Sequence, residues 1–236
     1  MRTIAIVDTE TTGLDPTKDE LLEVAVATFD LDLGAMVEMH SYLLFAESNA
    51  AESINGIAPE LVKRHGRHFD CERDLYVAQD IAKVLLRSEA VVAWNAAFDR
   101  PWIDSMLTRL DVLGPHTLKW ACAMDDMEWP RSSTSKSLVA MALAHGVGVT
   151  DAHRATSDVL TLVRMFQRAR ELGADLPDML ARAMRPRAEY RAVVPYEQRE
   201  LAKRAGFRWD GERKWWVKRF VVGEVPELPF SVERAT

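Results

Sequence analysis

The sequence predicts an α/β protein with a mixed central sheet, followed by a small α+β module. Short β-branched apolar segments alternate with segments of helical spacing along most of the 236 residues, which is typical of α/β domains. The first three apolar segments follow one another without a helix between them, so an antiparallel meander is expected first. After a linker at residues 186–189 the chain becomes basic and rich in aromatic residues, which marks a separate module.

The opening meander is predicted from three apolar segments. Residues 3–8 are β-branched and apolar and end in a carboxylate, as expected of a buried strand. Residues 11–16, Thr-Thr-Gly-Leu-Asp-Pro, have the composition of a turn. Residues 21–29 and 37–45 are predicted as the second and third strands, because the polar residues 30–34 between them favour another turn.

Helices and strands then alternate. The helix predictions rest on apolar residues that recur at intervals of three and four. Helices are predicted at residues 72–87, 99–110, 135–145, 157–171 and 175–184. Strands are predicted at residues 90–94 and 119–124. Pro101 is compatible with a helix because it falls in the first turn.

Composition indicates a globular protein of the cytoplasm. Hydrophobic residues make up 48% of the chain and charged residues 28%, the proportions of ordinary folded domains. The two cysteines, Cys71 and Cys122, form neither a metal-site spacing nor a disulfide framework, so both are expected as reduced thiols. The apolar start of the chain reaches Asp8 too early for a signal peptide. No apolar segment approaches the roughly 20 residues needed to cross a membrane.

Charge is distributed unevenly along the chain. The net charge is −6, which by itself disfavours nucleic-acid binding. Residues 187–220, however, contain ten Lys or Arg and five Asp or Glu, a net of +5, whereas residues 1–186 carry −9. An acidic body and a basic C-terminal segment must therefore be considered separately.

Two acids end the first predicted strand. Asp8 and Glu10 are two residues apart, so the alternation of a strand directs both side chains to one face. Carboxylates on one face repel each other unless a cation neutralises them, and Mg²⁺ or Mn²⁺ prefer oxygen ligands. By itself the pair is a weak signal and favours two solvated acids at a strand end.

Three motifs in order change that interpretation. Residues 7–14 read Val-Asp-Thr-Glu-Thr-Thr-Gly-Leu, residues 94–99 read Trp-Asn-Ala-Ala-Phe-Asp, and residues 153–158 read His-Arg-Ala-Thr-Ser-Asp. Together they resemble the three exonuclease motifs of the DnaQ-like (DEDDh) family, and the resemblance covers roughly residues 3–170. Residues 121–124 and 136–146 also look like the exonuclease X branch of that family.

The resemblance implies a ribonuclease H-like three-layer exonuclease fold for residues 1–185. It implies metal-dependent 3′→5′ hydrolysis that releases nucleoside 5′-monophosphates from DNA 3′ ends, with two divalent cations, Mg²⁺ or Mn²⁺. By resemblance, Asp8 bridges both cations, Glu10 and Asp158 complete the site on the nucleophile side, and Asp99 supports the pair through water. His153 is then the general base, because an imidazole titrates near neutral pH.

The same resemblance identifies residues that hold the terminal nucleotides. Thr11, Gly13 and Leu14 are expected beside the cations, with main-chain groups near Thr11 at the 3′ hydroxyl and Leu14 against the bases. Gly13 would let the backbone approach the terminal nucleotide closely.

Two further segments complete this expectation. Residues 54–57, Ile-Asn-Gly-Ile, resemble the Ile-His-Gly-Ile loop of the family, and Ile57 is predicted to contribute a second apolar wall. Asn55 replaces the usual histidine of that loop. Asn95 and Phe98 are expected near the penultimate nucleotide. Ordinary core packing is the alternative for Leu14, Ile57 and Phe98.

The remaining histidines and the acids near the motifs have no comparable sequence context. They are expected to be structural or solvated residues: His40, His65, His68, His116, His145, Asp15, Asp104 and Asp151.

The basic segment is predicted as a strand–helix–hairpin module at residues 190–222, with residues 223–236 as a tail. A strand at 191–194, a helix at 196–205 and a hairpin of 207–209 with 214–220 are expected, and the segment resembles a small module found beside DNA-processing enzymes. Aromatic residues that stack on bases, interleaved with cations that meet phosphates, indicate nucleic-acid binding. The candidate contacts are Arg208, Trp209, Lys214, Trp216 and Lys218. The alternative is a small domain whose tryptophans form its core.

Two other functions fit the same motifs. An exoribonuclease that trims RNA 3′ ends would use the same carboxylates. A subunit that binds DNA or a polymerase without cutting would be favoured by loss of a motif carboxylate, and all four are present. The expected partners are nucleic-acid 3′ ends, DNA before RNA, and proteins of replication or repair; no membrane is expected.

Overall fold

The first sheet is organised around β1 (Thr3–Thr11), in which residues 4–7 are all buried. In the computed structural model, which describes residues 2–68, 75–109 and 118–235, β1 pairs antiparallel with β2 (Leu21–Asp30). In turn, β2 pairs antiparallel with β3 (Ala35–Leu43), so the predicted meander is confirmed.

Two parallel strands complete the mixed sheet. β4 (Ala90–Ala93) pairs parallel with β1, and β5 (Trp120–Cys122) pairs parallel with β4. The strand order is β3-β2-β1-β4-β5. The helices of this part of the chain are α1 (Glu52–Asn55), α2 (Pro59–His65), α3 (Tyr76–Arg87), α4 (Ala96–Arg109), α5 (Leu138–Ala144), α6 (Ala155–Glu171) and α7 (Leu176–Ala183).

Both faces of the sheet are covered. Ile4 and Ile6 of β1 join a core with α6 and α7, whereas Ala5 and Val7 join a second core with α3 and α4. This alternation follows from the two-residue period of a strand, and it gives three layers. It also decides where the polar end of β1 points: Asp8 and Glu10 continue the α6 side, and Thr9 continues the α4 side.

Several boundaries differ from the predicted ones for local reasons. α4 starts at Ala96 because the Phe98 amide bonds to the Asn95 carbonyl at 2.8 Å, which places Asp99 in the first turn. α5 starts after Ser137, whose hydroxyl caps the helix by accepting from the Ala140 amide. α1 and α2 were not expected, because helices of four and seven residues show too little periodicity to predict them.

Other sequence expectations fall partly outside the described residues. Cys71, His116 and the ends of two predicted helices, residues 72–74 and 110, lie there. Cys122 is a buried free thiol. Among the described residues, no helix is long and apolar enough to cross a membrane.

The chain divides into two compact units, Met1–Met184 and Arg185–Thr236. The second contains a four-stranded sheet in the order β7-β8-β6-β9. Its elements are β6 (Arg187–Val193), a 3₁₀ turn (Tyr196–Gln198), α8 (Arg199–Arg204), β7 (Arg208–Asp210), β8 (Trp215–Val221) and β9 (Ser231–Arg234). Ala202, Phe207 and Phe220 are its buried centre.

The sequence predicted residues 223–236 as a tail, but the structure shows that they contain a strand. β9 lies within them and pairs antiparallel with β6, from Tyr190↔Arg234 to Val193↔Ser231. Val232 and Phe230 pack against the core of the unit. A strand of four residues after a segment rich in proline and glycine has too little alternation to be predicted.

Candidate active site

Four carboxylates converge at one end of β1. Asp8 and Glu10 stand at the end of that strand, Asp99 lies in the first turn of α4, and Asp158 lies in the first turn of α6. Together with His153 they line one cleft of about 990 Å³. The structure therefore brings together all five residues that the motifs identify.

Asp99 is held by a residue that sequence reasoning missed. Its Oδ1 accepts hydrogen bonds from the Thr9 amide at 3.0 Å and from the Thr9 hydroxyl at 2.9 Å. Both residues are buried, with 3% of Asp99 and 4% of Thr9 exposed. The signal was present in the strand alternation, because Thr9, between Asp8 and Glu10, must point to the opposite face, where α4 packs.

The carboxylates perturb one another. Burial raises the pKa of Asp8 well above its ordinary value, and the charges of Asp99 and Asp158 raise it further. Burial and the charge of Asp158 raise the pKa of Glu10 to about 8. Burial raises the pKa of Asp99 to about 7 against the opposing hydrogen bonds from Thr9, and burial also raises the pKa of Asp158. The cluster thus concentrates negative charge that only a proton or a cation can neutralise.

The donor set fits a divalent cation. Ligand atoms of Glu10, His153 and Asp158 all lie within 4.8 Å of one another. Within the described part of the chain, the buried Oδ1 of Asp158 has no hydrogen-bond partner, as expected of an oxygen reserved for a ligand. Carboxylate oxygens are the ligands that Mg²⁺ and Mn²⁺ prefer.

His153 precedes α6 in an unusual backbone conformation. Its φ is +63°, in the left-handed region that few residues other than glycine adopt, although histidine is enriched there. Its amide donates to Asp158 Oδ2 at 3.2 Å, and its side chain is exposed. The residue is therefore fixed through its backbone while the imidazole stays accessible at the cleft.

A partly buried ion pair that was not predicted connects β2 to the start of α6. Glu23 lies directly opposite Glu10 in the β1–β2 register and is 4% exposed. Its carboxylate accepts from Arg154 Nε at 2.9 Å, from the Ala155 amide at 3.3 Å and from the Thr156 hydroxyl at 3.2 Å. The sequence did contain a signal for this ion pair. Glu23 is an acid within an apolar strand pattern, and a buried carboxylate requires a partner.

The apolar walls differ from the prediction. Leu14 is 84% exposed and lines the cleft, as expected. The prediction for Ile57 is wrong, because its side chain is fully buried against Leu22 and Val62 and offers no surface to a ligand. Ile54, which is 64% exposed, lines the cleft instead. Gly56, with φ +65°, ends α1 between these two isoleucines and turns the chain inward.

Asn55 connects this loop to β1. Its Nδ2 donates to the Thr11 carbonyl at 3.2 Å, and its Oδ1 accepts from Asn49 Nδ2 at 2.8 Å and from the Ile57 amide at 3.1 Å. Asn55 is buried, so it positions the loop that carries Ile54. The Thr11 hydroxyl donates to the Gly13 carbonyl at 2.6 Å, which shapes the same edge of the cleft.

Contacts within the chain explain why position 13 is a glycine. A Cβ there would lie 2.3 Å from Asp19 Oδ2, an atom that already accepts from the Asp15 amide at 2.9 Å. Any larger residue must therefore displace the Asp19 carboxylate, which would disturb its hydrogen bond with the Asp15 amide. Asn95 and Phe98 also line the cleft, and Phe98 packs against Trp102 as well.

The residues expected to be structural have structural surroundings where they are described. Asp15 accepts from the Thr17 amide, and Asp104 pairs with Arg100 at 3.2 Å. Asp151 is exposed. His145 is fully buried, with Nδ1 2.7 Å from the Met141 carbonyl.

In the second unit, the candidate nucleic-acid contacts differ in how exposed their side chains are. Arg208, Trp209 and Lys214 are exposed, and Trp216 is half-buried beside Trp209. Lys218 is half-buried and its ammonium donates to the Ala205 carbonyl at 2.7 Å, so its contact with nucleic acid stays a prediction.

Two family models match the chain. One, described as an exonuclease, matches residues 5–166. The other, described as a domain of unknown function, matches residues 188–235. A sequence relative is the DNA polymerase III subunit epsilon of Treponema pallidum (strain Nichols), 27% identical over 165 residues, which cover 67% of this chain and 72% of the relative.

Solved structures of exonuclease I have the same fold as the first unit. One matches with a TM-score of 0.63 at 19% identity, over 77% of this chain and 43% of its own. Exonuclease I of E. coli in complex with a dT13 oligonucleotide matches with a TM-score of 0.62 at 18% identity, over the same shares. The chain thus spans less than half of these exonuclease I chains. The likeness confirms the predicted ribonuclease H-like fold.

Proposed function

We propose, starting from the fact that this chain belongs to the exonuclease family, that it hydrolyses DNA from the 3′ end and releases nucleoside 5′-monophosphates. Family membership confirms the resemblance identified in the sequence; the exonuclease X branch stays a prediction. The observation that carries the proposal is the convergence of Asp8, Glu10, Asp99 and Asp158 in one cleft with His153 beside them. Their retention argues against a subunit that binds without cutting.

Asp8, Glu10, Asp99 and Asp158 would hold two divalent cations, Mg²⁺ or Mn²⁺. The raised pKa values of these carboxyls and the unpartnered Asp158 Oδ1 support this assignment. Such cations, when bound, neutralise charge on the phosphate, help activate water and stabilise the leaving oxygen. The Thr9 hydrogen bonds keep one Asp99 oxygen occupied, so its other oxygen is the one directed to this task.

His153 would act as the general base. A ring nitrogen takes a proton from water as the water oxygen bonds to phosphorus, and the bond from phosphorus to the 3′ oxygen breaks. The departing 3′ oxygen takes a proton from solvent water, and the ring later returns its proton to solvent. The exposure of the imidazole and its closeness to Glu10 and Asp158 support this role, because they place it at the cleft where a water molecule would be activated.

The exposed side chains of Leu14 and Ile54 would hold the terminal bases, with Thr11, Gly13, Asn95 and Phe98 completing the site. DNA is favoured over RNA because of the named relatives: a subunit of a DNA polymerase and an exonuclease bound to dT13. The first also favours a replication context, with a cytoplasmic location and protein partners of that process.

The test is degradation of labelled oligonucleotides with Mg²⁺ or Mn²⁺. A 5′-labelled single strand is expected to give a ladder that shortens from the 3′ end, with mononucleotides as the released product. Asp8→Asn should abolish the ladder, whereas Asp104→Asn, a matched acid paired with Arg100 outside the cleft, should not. Release of the 5′ label as a mononucleotide at the start, or full activity of Asp8→Asn, would contradict the proposal. Faster degradation of an RNA oligomer would replace DNA by RNA as the substrate.

A further inference from the structure

The sheet of the second unit opens at one end. β6 and β8 pair from Arg187↔Val221 to Arg191↔Val217, and no further. Beyond that point β6 stays paired with β9 through Val193, and β8 stays paired with β7 through Trp215 and Trp216. The two central strands therefore separate, and a cleft of about 490 Å³ lies between their ends.

Aromatic rings line this cleft and are exposed there. Tyr196 is 74% exposed and Trp209 is 53% exposed. Trp216, the cross-strand partner of Trp209, packs partly against the core, with its ring centroid 5.6 Å from that of Trp209. The core of the unit thus uses Trp216 but leaves Tyr196 and Trp209 with free faces, and large exposed apolar surfaces of this kind mark binding sites.

The cations around the rings are arranged for an anionic ligand. The Arg191 guanidinium lies 4.7 Å from the centroid of Trp215 but is ion-paired with Glu233. The Arg199 guanidinium lies 4.1 Å from the centroid of Tyr196. Lys214 lines the cleft, is exposed, and has no ion-pair partner among the residues that the structure describes. Residues 185–235 contain twelve Lys or Arg and eight Asp or Glu, in a chain whose net charge is −6.

We infer that this cleft binds single-stranded DNA, with bases stacked on Trp209 and Tyr196 and phosphates at Lys214 and Arg199. Exposed aromatic faces beside cations suit an unpaired strand, whose bases are free to stack; those of a duplex are not. A cationic ligand is disfavoured, because the positive charges of Arg199 and Lys214 line the cleft. The choice of DNA over RNA rests on the function proposed for the first unit.

The experiment measures binding without hydrolysis. The full chain carrying Asp8→Asn is titrated, in EDTA, into a fluorescent oligo-dT of about 15 nucleotides, a length within the reach of such sites. Anisotropy gives the affinity at several KCl concentrations. Hydrogen exchange followed by mass spectrometry gives a local readout, and protection is expected in residues 192–199 and 209–216 on adding the oligomer.

The variants separate stacking from charge. Trp209→Ala and Tyr196→Ala should each weaken binding by about 5-fold to 100-fold, and Trp209→Phe should retain most of the affinity because it keeps an aromatic face. Lys214→Ala should reduce the salt slope by roughly 0.7. Arg204→Ala is the matched control, because it removes an exposed cation of the same unit outside the cleft.

Two outcomes would overturn the inference. One is unchanged affinity of Trp209→Ala and Tyr196→Ala together with no protection of the cleft segments. The other is tighter binding of oligo-U than of oligo-dT, which would assign the cleft to RNA. Neither anisotropy nor hydrogen exchange needs catalysis. If the unsubstituted chain lacks nuclease activity but the cleft is still protected by the oligomer, the proposed function is refuted and the inference about the cleft is not.

Discussion

Glu23 and Arg154 form an ion pair at 2.9 Å across 131 residues of sequence, and it fixes the start of α6 to β2. The same carboxylate accepts from the Ala155 amide, and the first turn of the helix, which begins at Ala155, carries Asp158. Glu23 is 4% exposed, so its carboxylate depends mainly on partners within the protein. The pair thus acts on the site by placing the helix that bears Asp158.

Arg154→Ala should destabilise the protein by about 1–3 kcal/mol, because it leaves the carboxylate of Glu23 without its cation while the Ala155 amide and the Thr156 hydroxyl still donate to it. The double variant Glu23→Gln/Arg154→Ala should be less destabilised, since no uncompensated charge remains. Chemical denaturation measures both. Arg182→Ala, which breaks exposed pairs with Glu128 and Asp178, is the control and should cost under about 1 kcal/mol. Equal losses for the two arginines would contradict this account.

Thr9→Val removes one of the two hydrogen bonds to Asp99 while keeping the shape of the side chain. We expect a loss of about 0.5–1.5 kcal/mol of stability. The pKa of Asp99 should rise, because the Thr9 hydroxyl lowers it. Nuclease activity should then need more Mg²⁺ for half-saturation and recover at high Mg²⁺. Thr28→Val, on β2 and bonded only to exposed Glu38, should leave the Mg²⁺ requirement unchanged.

The carboxyl cluster predicts an unusual pH dependence of stability in EDTA. The pKa of Glu10 is raised from 4.5 to about 8, and that of Asp99 from 3.8 to about 7, in both cases chiefly by burial. Both groups bind protons more tightly in the folded chain. Their contribution to stability is therefore fully present below pH 3.8 and is lost as the pH rises through about 7 and 8.

Thermal unfolding checks this prediction. In EDTA the midpoint should fall between pH 5 and pH 8.5, by about 2–4 °C for each kcal/mol lost. Asp99→Asn should flatten the fall, because the amide does not titrate. Saturating Mn²⁺ should also reduce it, since the cation replaces the protons. A midpoint that rises across this range in EDTA would be incompatible with the cluster described.

His153→Ala should lower kcat by about 10²-fold to 10⁴-fold with little change in KM, the effect of losing a general base. The rise of kcat with pH near neutrality should disappear with it. His65→Ala, which removes an exposed histidine at the end of α2, is the control and should leave both kinetic constants unchanged. A wild-type pH profile in His153→Ala would assign the base to another group.

The limits of the sequence prediction are visible in individual contacts. The alternation of β1 placed Asp8 and Glu10 on one face, and three motifs assembled the remaining site residues. The Thr9–Asp99 and Glu23–Arg154 contacts depend instead on how α4 and α6 pack against opposite faces of the sheet, which local spacing does not determine. A turn conformation at Gly56 decides which isoleucine faces outward, and no periodicity encodes it.

Ile54, and not Ile57, forms the apolar wall of the cleft, so the two isoleucines should respond differently to truncation. Ile57→Ala empties a fully buried position beside Leu22 and Val62, so it should cost about 2–5 kcal/mol of stability. Ile54→Ala removes a side chain that is 64% exposed and should change stability by less than about 0.5 kcal/mol. If Ile54 contacts terminal bases, its truncation should raise KM for single-stranded DNA, and Leu14→Ala should do the same.

The control for both cleft variants is Leu143→Ala. It removes a similarly exposed apolar side chain outside the cleft and should leave KM unchanged. A raised KM in Leu143→Ala, or none in either cleft variant, would show that the exposed apolar walls do not hold the substrate.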